Sequence, residues 1–332
     1  MFTIAEIGQA HEGSLGAALS YIDALAETGI DAVKFQVHIA EAESSEFEPF
    51  RVKFSDQDIT RFDYWKRMEF TLEQWKILKS RCDEKGVEFL SSPFSNAAVD
   101  LLEEVNVKRY KIGSGEVNNF LLLEKIAQTG KPVILSSGLS SLEEIDKAVE
   151  FMRNRNVNFS LLQCTTAYPT KPEEYGLNVI QIFKDRYKVP VGYSDHSGRM
   201  ETCIGAAALG ADLLEFHTVF DRRSFGPDST SSLEIDEIKQ LVQAVRNIAI
   251  SIAHPINKNV DSGLSDLKAI FEKSLAINKD LPSGHLLRFE DLEAKKPKGY
   301  GIEATGFEKI IGKELKNDMK KWDFLKDGNI KW

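Results

Sequence analysis

An α/β fold of the (β/α)8 TIM-barrel type, followed by a small C-terminal domain, is what this sequence predicts, on three observations. Eight short apolar, β-rich runs alternate with longer amphipathic stretches. The alternation fills about 250 residues, the ordinary size of such a barrel. It then stops after "SIAHPINKNVDSG" at 251–263.

Taken in order, "FTIAEIG" (2–8) is the first strand, and "LGAALSYIDALAETG" (15–29) follows with Leu15, Leu19, Ile22 and Leu25 on one helical face. "AVKFQV" (32–37) is the second strand. The stretch 38–70 after it, rich in Glu, Phe and Arg, is too long for an ordinary connection and reads as a functional lid. "TLEQWKILKSRCDEKG" (71–86) opens on a cap-type threonine, and "EFLSSPF" (88–94), "RYKIGS" (109–114) and "PVILSSG" (132–138) supply the next three strands. "SLEEIDKAVEFMRNR" (141–155) opens on a cap-type serine, and "FSLLQCT" (159–165), "PVGYSDH" (190–196) and "LLEFHTVF" (213–220) complete the eight. Strands this apolar are buried on both faces, as parallel strands under helices must be. A doubly wound open sheet is the alternative, but no GxGxxG opens any helix. The barrel is assigned to 1–262 and the small domain to 271–332. The segment "KNDMKKWDFLKDGNIKW" that ends the sequence reads as a surface extension with two tryptophan anchors.

The 332 residues carry a formal charge of −9, which disfavours a general affinity for nucleic acid or an anionic membrane, so an anionic ligand must be met by local cations and backbone amides. No basic leader and no long uninterrupted apolar run is found, and a cytoplasmic protein is expected. Cys82, Cys164 and Cys203 lack metal or redox spacing and read as buried thiols.

In such a barrel the site is built from strand C-termini. Here almost every strand ends polar: Glu6; Lys34 and Gln36; Ser91 and Ser92; Lys111 with Ser114 and Glu116; Ser136 and Ser137; Thr165, Thr166 and Tyr168; Ser194 with His196; and His217. Singly, each of these is ordinary. Together, two histidines on sequential strands face one mouth at a separation a metal can bridge, and Glu6, next to the eighth strand once the barrel closes, would make an N,N,O site. Lys34 and Lys111 point to an anion, because a buried ammonium needs a partner. Asp195 either hydrogen-bonds an imidazole or caps the helix after residue 198. The reading is a metal site beside an anion site, with the metal as a Lewis acid.

The segments "AEIGQAHEGS", "DAVKFQVHIAEAE", "YKIGSGEVNN", "ILSSGLSSLEEI", "QCTTAYPT", "GYSDHS" and "FGPDSTSSLE" resemble the sialic acid synthase family, which includes N-acetylneuraminate, legionaminate and pseudaminate synthases, over nearly the whole chain. The resemblance implies a TIM barrel with a C-terminal antifreeze-like (SAF) domain and a domain-swapped homodimer. It implies condensation of phosphoenolpyruvate with the open-chain aldehyde of an N-acylated hexosamine, releasing phosphate, with a divalent cation, Mn2+ before Mg2+ or Co2+. By that likeness His196 and His217 hold the metal, and Lys34, Ser92, Lys111, Ser114, Ser136 and Ser194 hold phosphoenolpyruvate. Glu6 orients the metal-bound water or aldehyde and manages the proton, and Glu116, Tyr168 and Asp228 contact the sugar. Ser194 then faces the anion and His196 the metal, which suggests a turn or bulge at that strand end.

The sequence also departs from the family. Ala10 stands in "QAHEG" where many relatives have asparagine, and Thr166 where the neuraminate synthases have an asparagine that touches the sugar. Lys296 stands where relatives carry an arginine that reaches the N-acyl group. The sugar half of the pocket is thus expected to differ. Two alternatives are a Kdo-phosphate-type condensing enzyme, for whose second phosphate Arg222 and Arg223 are the only obvious cations, and a non-catalytic sugar-binding descendant, which would need neither the lysines nor the histidines.

Overall fold

The computed structural model describes residues 1–52, 54, 57–259 and 263–332. Strands β1 (Phe2–Gly8), β2 (Ala32–Val37), β3 (Glu88–Pro93), β4 (Tyr110–Ile112), β5 (Val133–Ser136), β6 (Phe159–Cys164), β7 (Val191–Asp195) and β8 (Leu213–Val219) pair in parallel in sequence order. β1 pairs with β8, from Phe2 against Leu213 to Glu6 against His217, so the sheet closes into the expected TIM barrel. β9 (Leu233–Glu234) extends it beside β8. Helices α1 (Leu15–Ala26), α2 (Ala40–Glu43), α3 (Arg61–Met68), α4 (Leu72–Lys85), α5 (Asn96–Val105), α6 (Phe120–Ala127), α7 (Leu142–Asn154), α8 (Val179–Tyr187), α9 (Met200–Ala208) and α10 (Ile235–Ala253) run between and after the strands. The cap signals act as read: Thr71 with Gln74 and Ser141 with Glu144 form reciprocal capping boxes that satisfy the free N–H groups of α4 and α7. The long second loop carries α2 and α3, neither of them marked in the sequence reading.

Strand alternation sorts the interior. Ile4, Ala32, Leu90, Ile134, Leu162 and Leu213 form a compact apolar cluster of their own, while the residues between them pack outward into the large core beneath the helices. Two positions further along the same strands stand Glu6, Lys34, Ser92, Ser136, Cys164 and Glu215. One period of a strand therefore separates an apolar plug from a polar layer. β4 and β7 stop earlier than the apolar runs suggested, because the chain turns at Ser114–Glu116 and at Ser197–Gly198 to bring side chains to the rim.

The second unit runs from Pro255 to Trp332, the first ending at His254 as α10 ends. Residue 262, the expected end of the barrel domain, lies outside the described residues, and 271 is the last residue of α11 (Ser265–Phe271). Antiparallel pairs β10 (Ser274–Ile277) with β11 (Leu292–Lys295) and β12 (Glu314–Leu315) with β13 (Ile330–Lys331) enclose a core that includes Leu275, Ile277, Leu315, Met319, Leu325 and Ile330. The expected surface extension is thus part of this core, and Trp322 and Trp332 are 44% and 62% exposed rather than anchors. Among the described residues no helix is long and apolar enough to cross a membrane.

Two outcomes follow from this packing. A Cβ at Gly192 in β7 would lie 2.2 Å from the Leu213 carbonyl oxygen, which belongs to the sheet and cannot rotate aside. Gly192→Ala should cost roughly 1–3 kcal/mol in urea unfolding, and an unchanged midpoint would contradict the packing. In the second unit, burial pushes Asp291 up, but Lys279, His285 and the Arg288 N–H outweigh it and hold the carboxyl at about 2. The folded value lies below the unfolded one, so its stabilisation is present above about pH 4 and is lost as pH falls toward the folded value. Amide-exchange protection at Leu275 and Ile277 should fall over that window in the wild type and change much less in Asp291→Asn.

Candidate active site

The floor of the barrel mouth is a chain of four buried charges. Lys34 Nζ lies 2.5 Å from Glu6 Oε2 and 3.7 Å from Glu215 Oε1, and Lys111 Nζ lies 2.8 Å from the same Glu215 oxygen. Ser92 Oγ sits 3.4 Å from Lys34 Nζ, and Ser194 Oγ donates to Glu215 at 3.2 Å. Gln36 Nε2 donates to the other oxygen of Glu6 at 2.7 Å. The two lysines, expected to await a substrate anion, already hold a carboxylate each. Glu215 is the residue the sequence reading passed over. Its signal was its place two before His217, which puts it on the inward face of β8, where a carboxylate needs a cation.

Burial raises the Glu6 carboxyl, but Lys34, His217 and Lys111 more than reverse this and hold it far below the ordinary carboxylate range. Burial lowers Lys111, and Glu215 and Glu6 outweigh it and raise the ammonium above its usual value. Glu6 and Lys111 are thus both held in their charged forms, each against an oppositely charged side chain at ion-pair distance. Ser136 Oγ and Glu215 Oε2 are buried there with no partner. The first is a donor and the second an acceptor that a ligand can meet.

His196 and His217 stand side by side, ring centroids 5.2 Å apart. His196 Nδ1 lies 2.8 Å from the Thr165 carbonyl, so that nitrogen carries the proton and Nε2 turns toward Tyr168 Oη at 3.2 Å. Burial presses His196 down, but Cys164 and the Thr165 carbonyl raise it to about 9, whereas burial dominates at His217 and lowers it. Glu6 Oε2 approaches His217 Nε2 only to 3.8 Å, being committed to Lys34. Among the described residues no three His, Cys, Asp or Glu side chains converge as a metal site, so the N,N,O set with Glu6 is not formed. The two imidazoles alone fit a divalent cation that takes its remaining ligands from water or substrate.

Asp195 takes neither expected role: it accepts from Ser197 N at 3.1 Å and Ser197 Oγ at 2.9 Å, closing the turn before α9, whose N-cap residue Arg199 carries no side-chain cap bond. β7 pairs in steady register as far as Ser194 on β6 and Asp195 on β8, so no bulge lies within the strand, and His196 stands just past its end, two positions from Ser194. The irregularity lies in β1, between Glu6 and Gly8.

Above the floor opens a cavity of about 440 Å³. Glu6, Lys34, Ser92, Lys111, Ser114, Glu116, Ser136, Thr166, Tyr168, Ser194, His196, His217 and Asp228 all line it. Lys296 belongs to the second unit, where its ammonium lies 4.7 Å from the centre of the Phe271 ring. Thr166 Oγ1 is buried and unpartnered.

Described residues of the 38–70 segment form one wall. His38 is stacked between Trp65, at 3.8 Å, and Phe94, at 4.4 Å. Arg51 lies over the Tyr168 ring at 3.9 Å and pairs with Asp228 at 2.8 Å. Arg67 ties the segment down by a two-pronged contact with Asp58 and a 2.8 Å bond to Glu12. None of these pairings was legible beforehand, most of them joining residues far apart in sequence. Arg222 is spent on Glu237 and on the Gly198 and Ser232 carbonyls, and Arg223, its side chain 90% exposed, on Asp221. Neither lines the cavity.

A closed parallel barrel with buried, ionised side chains converging on one strand-end cavity defines an enzyme of the TIM-barrel class. A family profile described as the NeuB family matches residues 21–257. The chain is 34% identical to the N,N'-diacetyllegionaminic acid synthase of Campylobacter jejuni, over 98% of each chain. It is also 34% identical to the human N-acetylneuraminate-9-phosphate synthase, over 95% of this chain and 88% of that one. A solved structure of the N-acetylneuraminic acid synthetase of Leptospira borgpetersenii, in complex with citrate, superposes with a TM-score of 0.70 at 32% identity, covering 80% of this chain and 89% of that one. The chain belongs to the NeuB family of sialic acid synthases.

Removing one floor charge tests the network. Glu215→Gln keeps the shape but leaves two ammonium groups facing one carboxylate, and it should destabilise the barrel by roughly 3–5 kcal/mol in urea unfolding. A loss below about 1 kcal/mol would show that Lys111 holds its charge without Glu215.

Proposed function

We propose that this protein condenses phosphoenolpyruvate with an open-chain N-acylated hexosamine in the cytoplasm, giving a nonulosonic, sialic-acid-like 3-deoxy-2-keto sugar acid and phosphate. The observation that carries the reading is the juxtaposition, at one barrel mouth, of two buried lysines with hydroxyl donors and two histidines. Family membership supports it, with relatives named as synthases of legionaminic acid, pseudaminic acid and N-acetylneuraminate 9-phosphate.

Lys34 and Lys111 have further N–H groups to turn toward a phosphate or carboxylate, and Ser92, Ser114, Ser136 and Ser194 add hydroxyl donors around them. C3 of the enol then bonds to the aldehyde carbon, whose oxygen becomes the new hydroxyl; a water oxygen bonds to C2, the C2–O bond to phosphate breaks, and of the two water protons one ends on that hydroxyl and the other leaves with the phosphate. His196 and His217 would hold a divalent cation, manganese in the first instance, which supplies Lewis-acid polarisation of a carbonyl oxygen when bound. Glu6 is fixed from both sides by Lys34 and Gln36, so its part in the resting site is orientation; a carboxylate held so far below its usual range is a weak base. Tyr168 and Asp228, joined through Arg51, Glu116 and Thr166 face the acceptor. The SAF assignment of the second unit, the domain-swapped homodimer and the sugar contact of Lys296 are proposed on the family resemblance.

The test is phosphate release from phosphoenolpyruvate with manganese and a panel of N-acylhexosamines. His217→Ala should lose about a hundred-fold or more in turnover, and a chelator should silence the wild type. Lys111→Met should raise the KM for phosphoenolpyruvate about ten-fold or more while leaving that for the sugar nearly unchanged. Full turnover by His217→Ala in chelator-treated buffer would overturn the metal assignment, and no release with any sugar would overturn the function.

A further inference from the structure

Gln36, two positions beyond Lys34 on β2, joins the wall to the floor, and the direction of its hydrogen bonds is forced. Glu6 is an acceptor, with Lys34 Nζ 2.5 Å from its Oε2, so the group that meets its other oxygen at 2.7 Å is the Gln36 amide nitrogen. The Gln36 carbonyl oxygen then faces the other way. There it meets Gln9 Nε2 at 3.2 Å and His38 Nε2 at 3.1 Å, and both of these must donate. The Gln9 carbonyl oxygen, turned off by the same logic, is left buried with no partner.

The other ring nitrogen of His38, Nδ1, lies 2.5 Å from Oε1 of Glu43, the last residue of α2. An acceptor on each ring nitrogen calls for a hydrogen on each, so His38 is paired as a cation with the Glu43 carboxylate. The ring is also clamped. Trp65 from α3 stacks on one face, 3.8 Å between centroids, and Phe94 on the other at 4.4 Å. Trp65 is fixed in turn, its indole N–H donating to Glu48 Oε2 at 3.1 Å. Aromatic faces on both sides suit a cationic imidazole, and with Glu43 they aim Nε2–H at Gln36.

We propose that His38, held by Glu43, is a positioning residue: its Nε2–H fixes the Gln36 amide, and the Gln36 amide fixes the Glu6 carboxylate that lines the cavity beside His217. Without that donor the Gln36 amide is free to turn over. Its carbonyl oxygen would then meet a carboxylate oxygen, two acceptors with no hydrogen between them. Glu6 would keep Lys34 and lose the second of the two contacts that set its plane. The bonds stand on geometry, and their effect on turnover rests on the synthase reading. His38 acts on Gln36 rather than on Lys34 or Lys111, so the binding of phosphoenolpyruvate should be spared.

The experiment uses two variants of the full chain. His38→Phe keeps a ring between Trp65 and Phe94 and removes both N–H donors, and His38→Gln returns a donor to where Nε2 stood. With phosphoenolpyruvate, manganese and whichever N-acylhexosamine is turned over, His38→Phe should lose about ten-fold or more in kcat while the KM for phosphoenolpyruvate stays within about two-fold. His38→Gln should recover most of that loss. An undiminished kcat in His38→Phe, or a glutamine variant no better than the phenylalanine one when both melt like the wild type, overturns the proposal. NMR of the wild type labelled with 15N in its histidines should show a hydrogen on both ring nitrogens of His38, identified by its absence from either variant. The 13C signal of the Glu6 carboxyl, identified by its loss in Glu6→Gln, should move in His38→Phe and return toward the wild-type position in His38→Gln. If no sugar is turned over, the synthase reading fails and these spectra decide the positioning: a bare Nε2 or an unmoved Glu6 signal overturns it.

Discussion

The run of charge from Glu6 through Lys34 and Glu215 to Lys111 is the constraint on which the rest of the barrel mouth depends. Bringing four ions out of water costs several kcal/mol each, and only close pairing with hydrogen bonds to the remaining oxygens offsets it. The pairing spans β1, β2, β4 and β8, so strands on opposite sides of the ring are held at fixed distance. The apolar plug of Ile4, Leu90, Ile134 and Leu162 beneath closes the interior from below. A floor built this way is rigid because moving any one member strands a charge.

The histidines follow from the same geometry. His217 stands one strand period beyond Glu215, and the closure of β8 on β1 brings it against Glu6. Lys34 takes the Glu6 carboxylate first, which leaves the imidazoles as a two-nitrogen pair beside the charged floor. The charged floor and the imidazole pair thus share a wall without sharing partners.

Much of this was legible in the sequence, and the reason is periodicity. Eight strands announced themselves as apolar runs, and reading their last residues gave Glu6, Lys34, Lys111, Ser136, Ser194, His196 and His217 without knowledge of any contact. What was lost was pairing. Glu215 looked like an interruption of an apolar strand until the barrel closed and set it between two lysines. His38, Glu43 and Arg51 lay inside a segment with no period to read, and their roles come from partners such as Phe94, Tyr168 and Asp228, brought close only by the fold. Residues 53, 55 and 56 of that segment lie outside the described ones. The cue for Asp195 was ambiguous because a carboxylate beside a histidine and a carboxylate before a helix look alike in sequence.

This division between strand and loop separates what the site can vary from what it cannot. A substitution at Lys34 or Glu215 unbalances a buried pair, so the floor can change only by compensating steps on two strands at once. The wall from the described residues of the 38–70 segment includes partly solvated pairs, such as Arg51 with Asp228, and exchanging one such pair leaves the floor intact. A barrel arranged in this manner can keep its charged floor while the wall above it is rebuilt. That is the pattern expected of a family whose members share about a third of their residues with this chain and yet are named for legionaminic acid, pseudaminic acid and N-acetylneuraminate 9-phosphate.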